Sequence, residues 1–323
     1  CMLMIFLPTA QAAQPLESGT PMTLTTPSAI LAETATGIVI FEKNADERRE
    51  VASITKLMTA LLVLEALDRD EIALTDSVQI SPRAAAMKGS QALLDASAVY
   101  PLEDLLRTTI MASANDSAVA LSEYIAGSEE NFVDRMNRRA AELGMTNTNY
   151  VNCTGYPQSG QYTTARDVCR LCCEIAKHPR YNQYASVWID KLTHPGGRVT
   201  DLTNTNRLVR FYEGCDGYKT GSTDAAKYCL AATAEKNGMR LVAIVLGTPV
   251  SQTRFNEARQ MLDYGFATYR RVVIANKGDL LGQNVEVRGG SAERVPLALG
   301  SGLSMLLKNG QQSGLSLSVQ LPE

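Results

Sequence analysis

Histidine is nearly missing from this 323-residue chain. Only His178 and His194 occur, which argues against a multi-histidine metal site and gives little support to a serine–histidine pair. An excess of either charge is also missing. The 31 Lys and Arg against 34 Asp and Glu leave a net charge of −3, which speaks against a basic nucleic-acid surface or an acidic solvating tail. No apolar run approaches the roughly 20 residues of a membrane-spanning helix. Cysteine is present seven times, but not in metal-binding order. Cys169, Cys172 and Cys173 form a C-x-x-C-C cluster with no second pair at a matching spacing, and Cys153, Cys215 and Cys229 stand alone. The cluster falls in a helical apolar pattern with Val168, Leu171 and Ile175, so these thiols read as small buried hydrophobes. No internal repeat is found, and no metal or cofactor is expected.

What is present fits a globular protein: 45% apolar and 20% charged residues can supply a sizeable core. The opening Cys1-Met-Leu-Met-Ile-Phe-Leu7 is followed by Ala10-Gln-Ala12. It reads as the end of a secretory signal peptide (residues 1–13) in a piece of a longer reading frame, and places the protein outside the cytoplasm. Residues 14–27, rich in Pro, Thr and Ser, read as a linker. Two apolar runs, Ala29–Glu33 and Gly37–Lys43, predict a hairpin. The stretch Ile54–Leu67 is apolar on nearly every side, the pattern of a helix buried at the centre of a domain. Helices are also predicted over Pro101–Met111, Asp116–Ala126, Asn131–Leu143 and Asn256–Tyr269. Tyr228–Ala234 and Met239–Leu246, joined by Glu235-Lys-Asn-Gly238, predict a second hairpin. Strands at both ends with helices between them imply an α+β domain over residues 28–270. Beyond it, Val285–Val287, Val295–Leu299 and Leu315–Leu321 suggest a truncated C-terminal β domain over 271–323, short for an independent core.

Three short patterns carry the chemistry: Ser53-Ile-Thr-Lys56, Ser113-Ala-Asn115 and Lys219-Thr-Gly221. The first opens the buried helix, the second lies in a turn between helices, and the third is expected to begin a strand. Residues three apart on a helix share a face, which brings the Lys56 amine to the Ser53 hydroxyl. Serine attacks well only when a base takes its proton. Burial and a second cation, here Lys219, would push Lys56 toward its neutral form. Ser113 is placed to relay the proton to a leaving amine, and Asn115 to hold Lys56 and a substrate amide. The helix start offers free N–H groups to an oxyanion. Taken alone, Ser53 and Lys56 read better as a helix cap and a surface lysine. The other two patterns, in order, decide for catalysis.

Around these triplets the sequence resembles the low-molecular-mass penicillin-binding proteins that act as serine-type D-alanyl-D-alanine carboxypeptidases. The resemblance runs from about Ala29 to Tyr269 and rests on Ala52–Thr59, Ser113–Ala118, Phe132-Val-x-x-Met-Asn137, Leu143-Gly-Met145, Asn152-Cys-Thr-Gly155, Asn204–Leu208 and Asp216–Thr223. It implies the penicillin-binding-protein and β-lactamase-like fold, an antiparallel sheet with a helical subdomain. It implies an acyl-enzyme on Ser53 with Lys56 as base, and substrate held by Lys219, Thr220, Gly221, Ser222 and Thr223. The oxyanion would be held by the N–H groups of Ser53 and of Ser222 or Thr223, and the terminal carboxylate gripped by Arg254. The implied partners are peptidoglycan stem peptides and, as covalent inhibitors, β-lactam antibiotics. The family's β domain ends in an amphipathic anchor, the route to peripheral membrane contact, which this chain lacks. Two alternatives stand beside this reading. A serine β-lactamase would need a deacylating acid, which Asn147–Gly160 does not contain. A catalytically silent wall-binding protein would not need the intact triplets.

Overall fold

The computed structural model describes residues 22–286 and 294–311. The chain opens with β1 (Ser28–Glu33) and β2 (Val39–Lys43), then a 3₁₀ turn (Ala52–Thr55) that runs into α1 (Lys56–Asp68). A helical region follows: α2 (Pro82–Ala85), α3 (Leu102–Met111), α4 (Asn115–Ala126), α5 (Glu129–Glu142), α6 (Ala165–Ile175) and α7 (Pro179–Ala185). Two small hairpins interrupt it, β3 (Ser77–Gln79) with β4 (Val99–Pro101) and β5 (Ile189–Thr193) with β6 (Val199–Thr203). One turn, α8 (Leu208–Phe211), leads to β7 (Cys215–Thr223), β8 (Lys227–Lys236), β9 (Met239–Thr248) and α9 (Ser251–Thr268).

The first and last strands of this unit build one antiparallel sheet in the order β2-β1-β9-β8-β7. β1 pairs with β9 from Ser28↔Leu246 to Glu33↔Leu241, so the two ends of the domain close on each other and the helices fill the span between. The alternation of strand faces is overridden in the centre. β1 and the middle of β8 and β9 are buried on both faces, which is why they read as continuous apolar runs. α1 is the hub on the helical side. Leu57, Met58, Ala60, Leu61, Val63 and Leu64 are each at most 1% exposed, so truncating one of the leucines to alanine would cost about 2–5 kcal/mol. β7 is the outer strand of the sheet and packs against the 3₁₀ turn.

Three boundaries differ from the sequence reading. Ser53 sits in the 3₁₀ turn ahead of α1. Lys219-Thr-Gly221 lies in the interior of β7, whose first residues are buried despite Asp216 because that carboxylate pairs with Arg240 at 2.5 Å. α9 starts at Ser251, so Arg254 is inside the helix. The α6 thiols Cys169 and Cys172 are buried and Cys173 is half-buried. The six described cysteines are all free.

Contacts divide the chain after Asp263. In the C-terminal unit β10 (Tyr269–Ala275) pairs with β13 (Leu303–Lys308), and β11 (Leu280–Glu286) with β12 (Arg294–Ala298). The run Leu315–Leu321, the signal-like segment 1–13 and most of the linker 14–27 lie outside the described residues.

Candidate active site

The 3₁₀ turn places Ser53 between two glycines from distant parts of the chain. Gly155 approaches from one side. A Cβ there would stand 1.9 Å from the Ala52 carbonyl oxygen and 2.9 Å from Ser53 N, and the φ of +79° already favours glycine. Gly221 approaches from β7, where a Cβ would meet the Val51 carbonyl oxygen at 2.3 Å and Ser53 N at 3.1 Å. Ala52 itself holds a left-handed φ of +50°. Strain of this kind persists only where the surroundings enforce it, and here they do so from both sides.

Lys56 lies one turn further on and is 1% exposed. Its Nζ is 3.0 Å from Ser53 Oγ and donates to the Thr154 carbonyl at 2.7 Å. Thr154 is held by its own loop: Asn152 Oδ1 accepts the N–H groups of Thr154 and Gly155, and Asn152 Nδ2 donates to the Tyr156 carbonyl. Burial pulls the Lys56 pKa down to about 7, against a partial upward pull from Cys153 and Asp116. Burial drives Lys219 well below its ordinary pKa, and repulsion from Lys56 and Arg254 adds to this. Burial is the leading cause at both lysines, and each disfavours a second charge beside it. By strand alternation Lys219 shares a face with Gly221, and its one hydrogen bond is a long one, 3.4 Å, to the Thr220 carbonyl.

Ser113 is buried in the turn between α3 and α4 with a left-handed φ of +64°. Asn115 corrects the sequence expectation. It does not hold Lys56: its Nδ2 donates to the Lys88 carbonyl at 2.6 Å and its buried Oδ1 has no partner. With Asp116, which accepts the N–H groups of Ala92 and Leu94, it pins the 88–94 segment to α4. Thr220 donates its hydroxyl to Thr205 Oγ1 at 2.7 Å. Thr223 Oγ1 accepts the Ala226 N–H, closing the turn after β7, and Ser222 is exposed on the open edge.

Arg254, expected to grip a terminal carboxylate, has a buried guanidinium, 9% exposed, whose Nη1 donates to the carbonyls of Gly221 and Cys229 and whose Nε has no partner. Burial lowers its pKa to about 10. It lies over the Tyr228 and Phe255 rings and ties β7 to β8. Three participants were missed by sequence reasoning: the Thr154 carbonyl, Gly155 and Thr205. All three lie in segments singled out for resemblance, but no local pattern announces their contacts with Lys56, Ser53 and Thr220.

The histidines stand elsewhere, His194 with Tyr100 and Thr200, His178 with Asp68. Among the described residues, Glu65, Glu174 and His178 alone gather metal-type ligand atoms within 4.8 Å. Arg139 already bonds both carboxylates there, so a guanidinium holds the place a cation would take.

Comparison with known proteins gives the family of the chain that carries this site. Residues 11–250 match the D-alanyl-D-alanine carboxypeptidase family. The chain belongs to that family. It is 38% identical over 310 residues to the D-alanyl-D-alanine carboxypeptidase DacF of Bacillus subtilis (strain 168), covering 96% of this chain and 79% of that one. It is 34% identical to DacC of Escherichia coli (strain K12), covering 99% and 80%. Among solved structures, penicillin-binding protein 5 of Haemophilus influenzae superposes with a TM-score of 0.81 at 30% identity, over 91% of this chain and 85% of that one. Penicillin-binding protein D2 of Listeria monocytogenes, in its ampicillin-bound form, does so with a TM-score of 0.68 at 31% identity, over 76% and 100%. The D-alanyl-D-alanine carboxypeptidase fold expected from the sequence is therefore the one observed.

Proposed function

We propose that this carboxypeptidase removes the terminal D-alanine of peptidoglycan stem peptides through an ester on Ser53, with Lys56 as the base. The observation that carries the proposal is the 3.0 Å contact between Ser53 Oγ and the Nζ of a wholly buried lysine whose pKa has fallen to about 7. A neutral amine near neutral pH can accept the hydroxyl proton as Oγ bonds to the carbonyl carbon of the penultimate D-alanine. The proton passes by Ser113 to the departing amine, the C–N bond breaks, and water then hydrolyses the ester and restores the Ser53 hydroxyl. The N–H of Ser53 and that of Ser222 or Thr223 hold the oxyanion. Lys219, with Thr220 and the charge of Arg254 behind it, forms a positive end for the terminal carboxylate. Penicillin acylates the same serine as a substrate mimic. The enzyme acts outside the cytoplasm, where peptidoglycan lies, released or held on the outer membrane face. No helix among the described residues is long and apolar enough to cross a membrane.

Incubation with labelled penicillin and, separately, with diacetyl-lysyl-D-Ala-D-Ala tests the reading. Stable labelling with D-alanine release is expected, and Ser53→Ala abolishes both. Rapid penicillin hydrolysis without peptide cleavage would mean a β-lactamase, and no labelling a silent binder. Arg254 supplies a second test. Because its donors serve the Gly221 and Cys229 carbonyls, Arg254→Met should slow peptide cleavage and penicillin acylation by similar factors, about tenfold or more. A loss confined to the peptide would instead mean that the guanidinium turns outward to read the peptide's carboxylate.

A further inference from the structure

A second cleft, of about 190 Å³, lies between α8 and α9. Leu208 and Phe255 give it an apolar floor, and both are buried. Its rim carries two arginines, Arg207 and Arg259, and two amides, Gln252 and Asn256, with no carboxylate. Gln252 Nε2 donates to Asn256 Oδ1 at 3.0 Å, leaving the Asn256 amide group as a donor.

Like Arg48 and Arg210, these two arginines have no carboxylate partner among the described residues. Elsewhere Arg139, Arg166 and Arg240 sit in close carboxylate pairs. Arg259 donates to the Phe211 carbonyl at 2.9 Å and lies 5.9 Å from the Tyr212 ring centre. Asp263, one turn along α9, accepts the Tyr212 hydroxyl instead. Two guanidinium groups facing one small cleft with an apolar floor and amide donors match a carboxylate on an aliphatic arm.

The cleft adjoins the Ser53 site through two pairs of neighbours. Arg207 follows Thr205, which accepts the Thr220 hydroxyl, by two residues. Asn206 between them is fixed by its Nδ2 bond to the Gly217 carbonyl and by the Leu208 N–H. Phe255 follows Arg254, whose Nη1 bonds the Gly221 carbonyl. The charge of Arg207 is also felt at Arg254.

We propose that this cleft binds a second carboxylate of the peptide substrate, in addition to the terminal one, and so selects stem peptides with an acidic aliphatic arm. The inference rests on the carboxypeptidase reading above. The carboxylate could sit on the acyl side of the cleaved bond or on the leaving side, and substrates separate the two. Wild type and an Arg207→Gln/Arg259→Gln double variant would be given diacetyl-lysyl-D-Ala-D-Ala, its diaminopimelyl counterpart, and an N-acyl-D-Ala-D-Glu peptide, with labelled penicillin as a check on the Ser53 site. Wild type should prefer one of the dicarboxylates over the lysyl peptide in kcat/KM by about fivefold. The double variant should lose that preference while lysyl-peptide turnover and penicillin labelling stay within about twofold. The dicarboxylate that loses rate identifies the arm. Turnover without any dicarboxylate preference in wild type would overturn the proposal alone, as would an equal loss on all substrates in the variant. Penicillin labelling with no amino acid released from any peptide would overturn the carboxypeptidase reading and this proposal with it.

Discussion

Gly221→Ala is expected to slow acylation of Ser53 by about a hundredfold while the protein still folds. The new methyl group would stand 2.3 Å from the Val51 carbonyl oxygen, 3.1 Å from Ser53 N and 3.2 Å from Ile54 Cγ1. Something must move. β7 is held along its length by β8, from Cys215↔Ala234 to Thr223↔Lys227, and Arg254 bonds the Gly221 carbonyl. The 3₁₀ turn has less to hold it, and Gly155 presses on its other side. The displacement therefore falls on Ser53, and a shift of about 1 Å in an attacking atom is worth roughly 10²-fold in rate. The second-order rate of labelled-penicillin acylation measures the loss, with calorimetry to show that folding is kept. An unchanged rate would mean that the turn relaxes freely and that the two-sided contact does not set the position of Ser53.

Lys56→Met should lower acylation by about 10²–10⁴-fold, the range for removal of a general base, and should raise stability at the same time. In the unfolded chain a lysine titrates near 10.4, whereas in the fold burial brings Lys56 to about 7. Between these values the unfolded state holds more protons, so stability rises with pH across that window. Below about 7 the folded state carries a buried ammonium at full cost. Methionine removes that cost, so the gain in melting temperature should be largest at pH 6 and shrink toward pH 10, by about 2–4 °C for each kcal/mol relieved. In the wild type the acylation rate should climb with pH through about 7 as Lys56 loses its proton. Calorimetry and acylation rates across pH 6–10 check both. A variant destabilised at every pH would show that the Thr154 contact outweighs the desolvation of the amine. A flat wild-type pH profile would remove Lys56 as the base.

The elements whose information is local were legible in the sequence. α1 declared itself because no side of it is polar, and β1 with β2 because short apolar runs flank a turn. The start of β7 was hidden by Asp216, a charge that looks like a surface residue until Arg240 on β9 is seen to pair with it and the Thr233 hydroxyl on β8 to bond it. The hairpin of β5 and β6 was missed because only Leu192 and Leu202 of its two strands are buried. The chemistry was legible as residue types in order. Their orientation was not. The fork of Arg254 suits any carboxylate, and nothing in its neighbours says that its partners are main-chain carbonyls. Asn115 was assigned to Lys56 on chemical grounds alone, while its amide is occupied by the Lys88 carbonyl.

The sheet stops at β7, and that ending has a meaning of its own. A strand with a neighbour on one side only presents a row of N–H and C=O groups to whatever extended chain arrives, a hazard that most proteins cover or blunt. Here the open row runs past the attacking serine. Main-chain groups are the same whatever side chains a peptide bears, so a peptide that paired along this edge would be admitted first by the shape of its backbone. A peptide locked into a helix or a tight ring has already spent those groups on itself. It would be turned away even with the right residues at its end, and an ordinary folded protein with it.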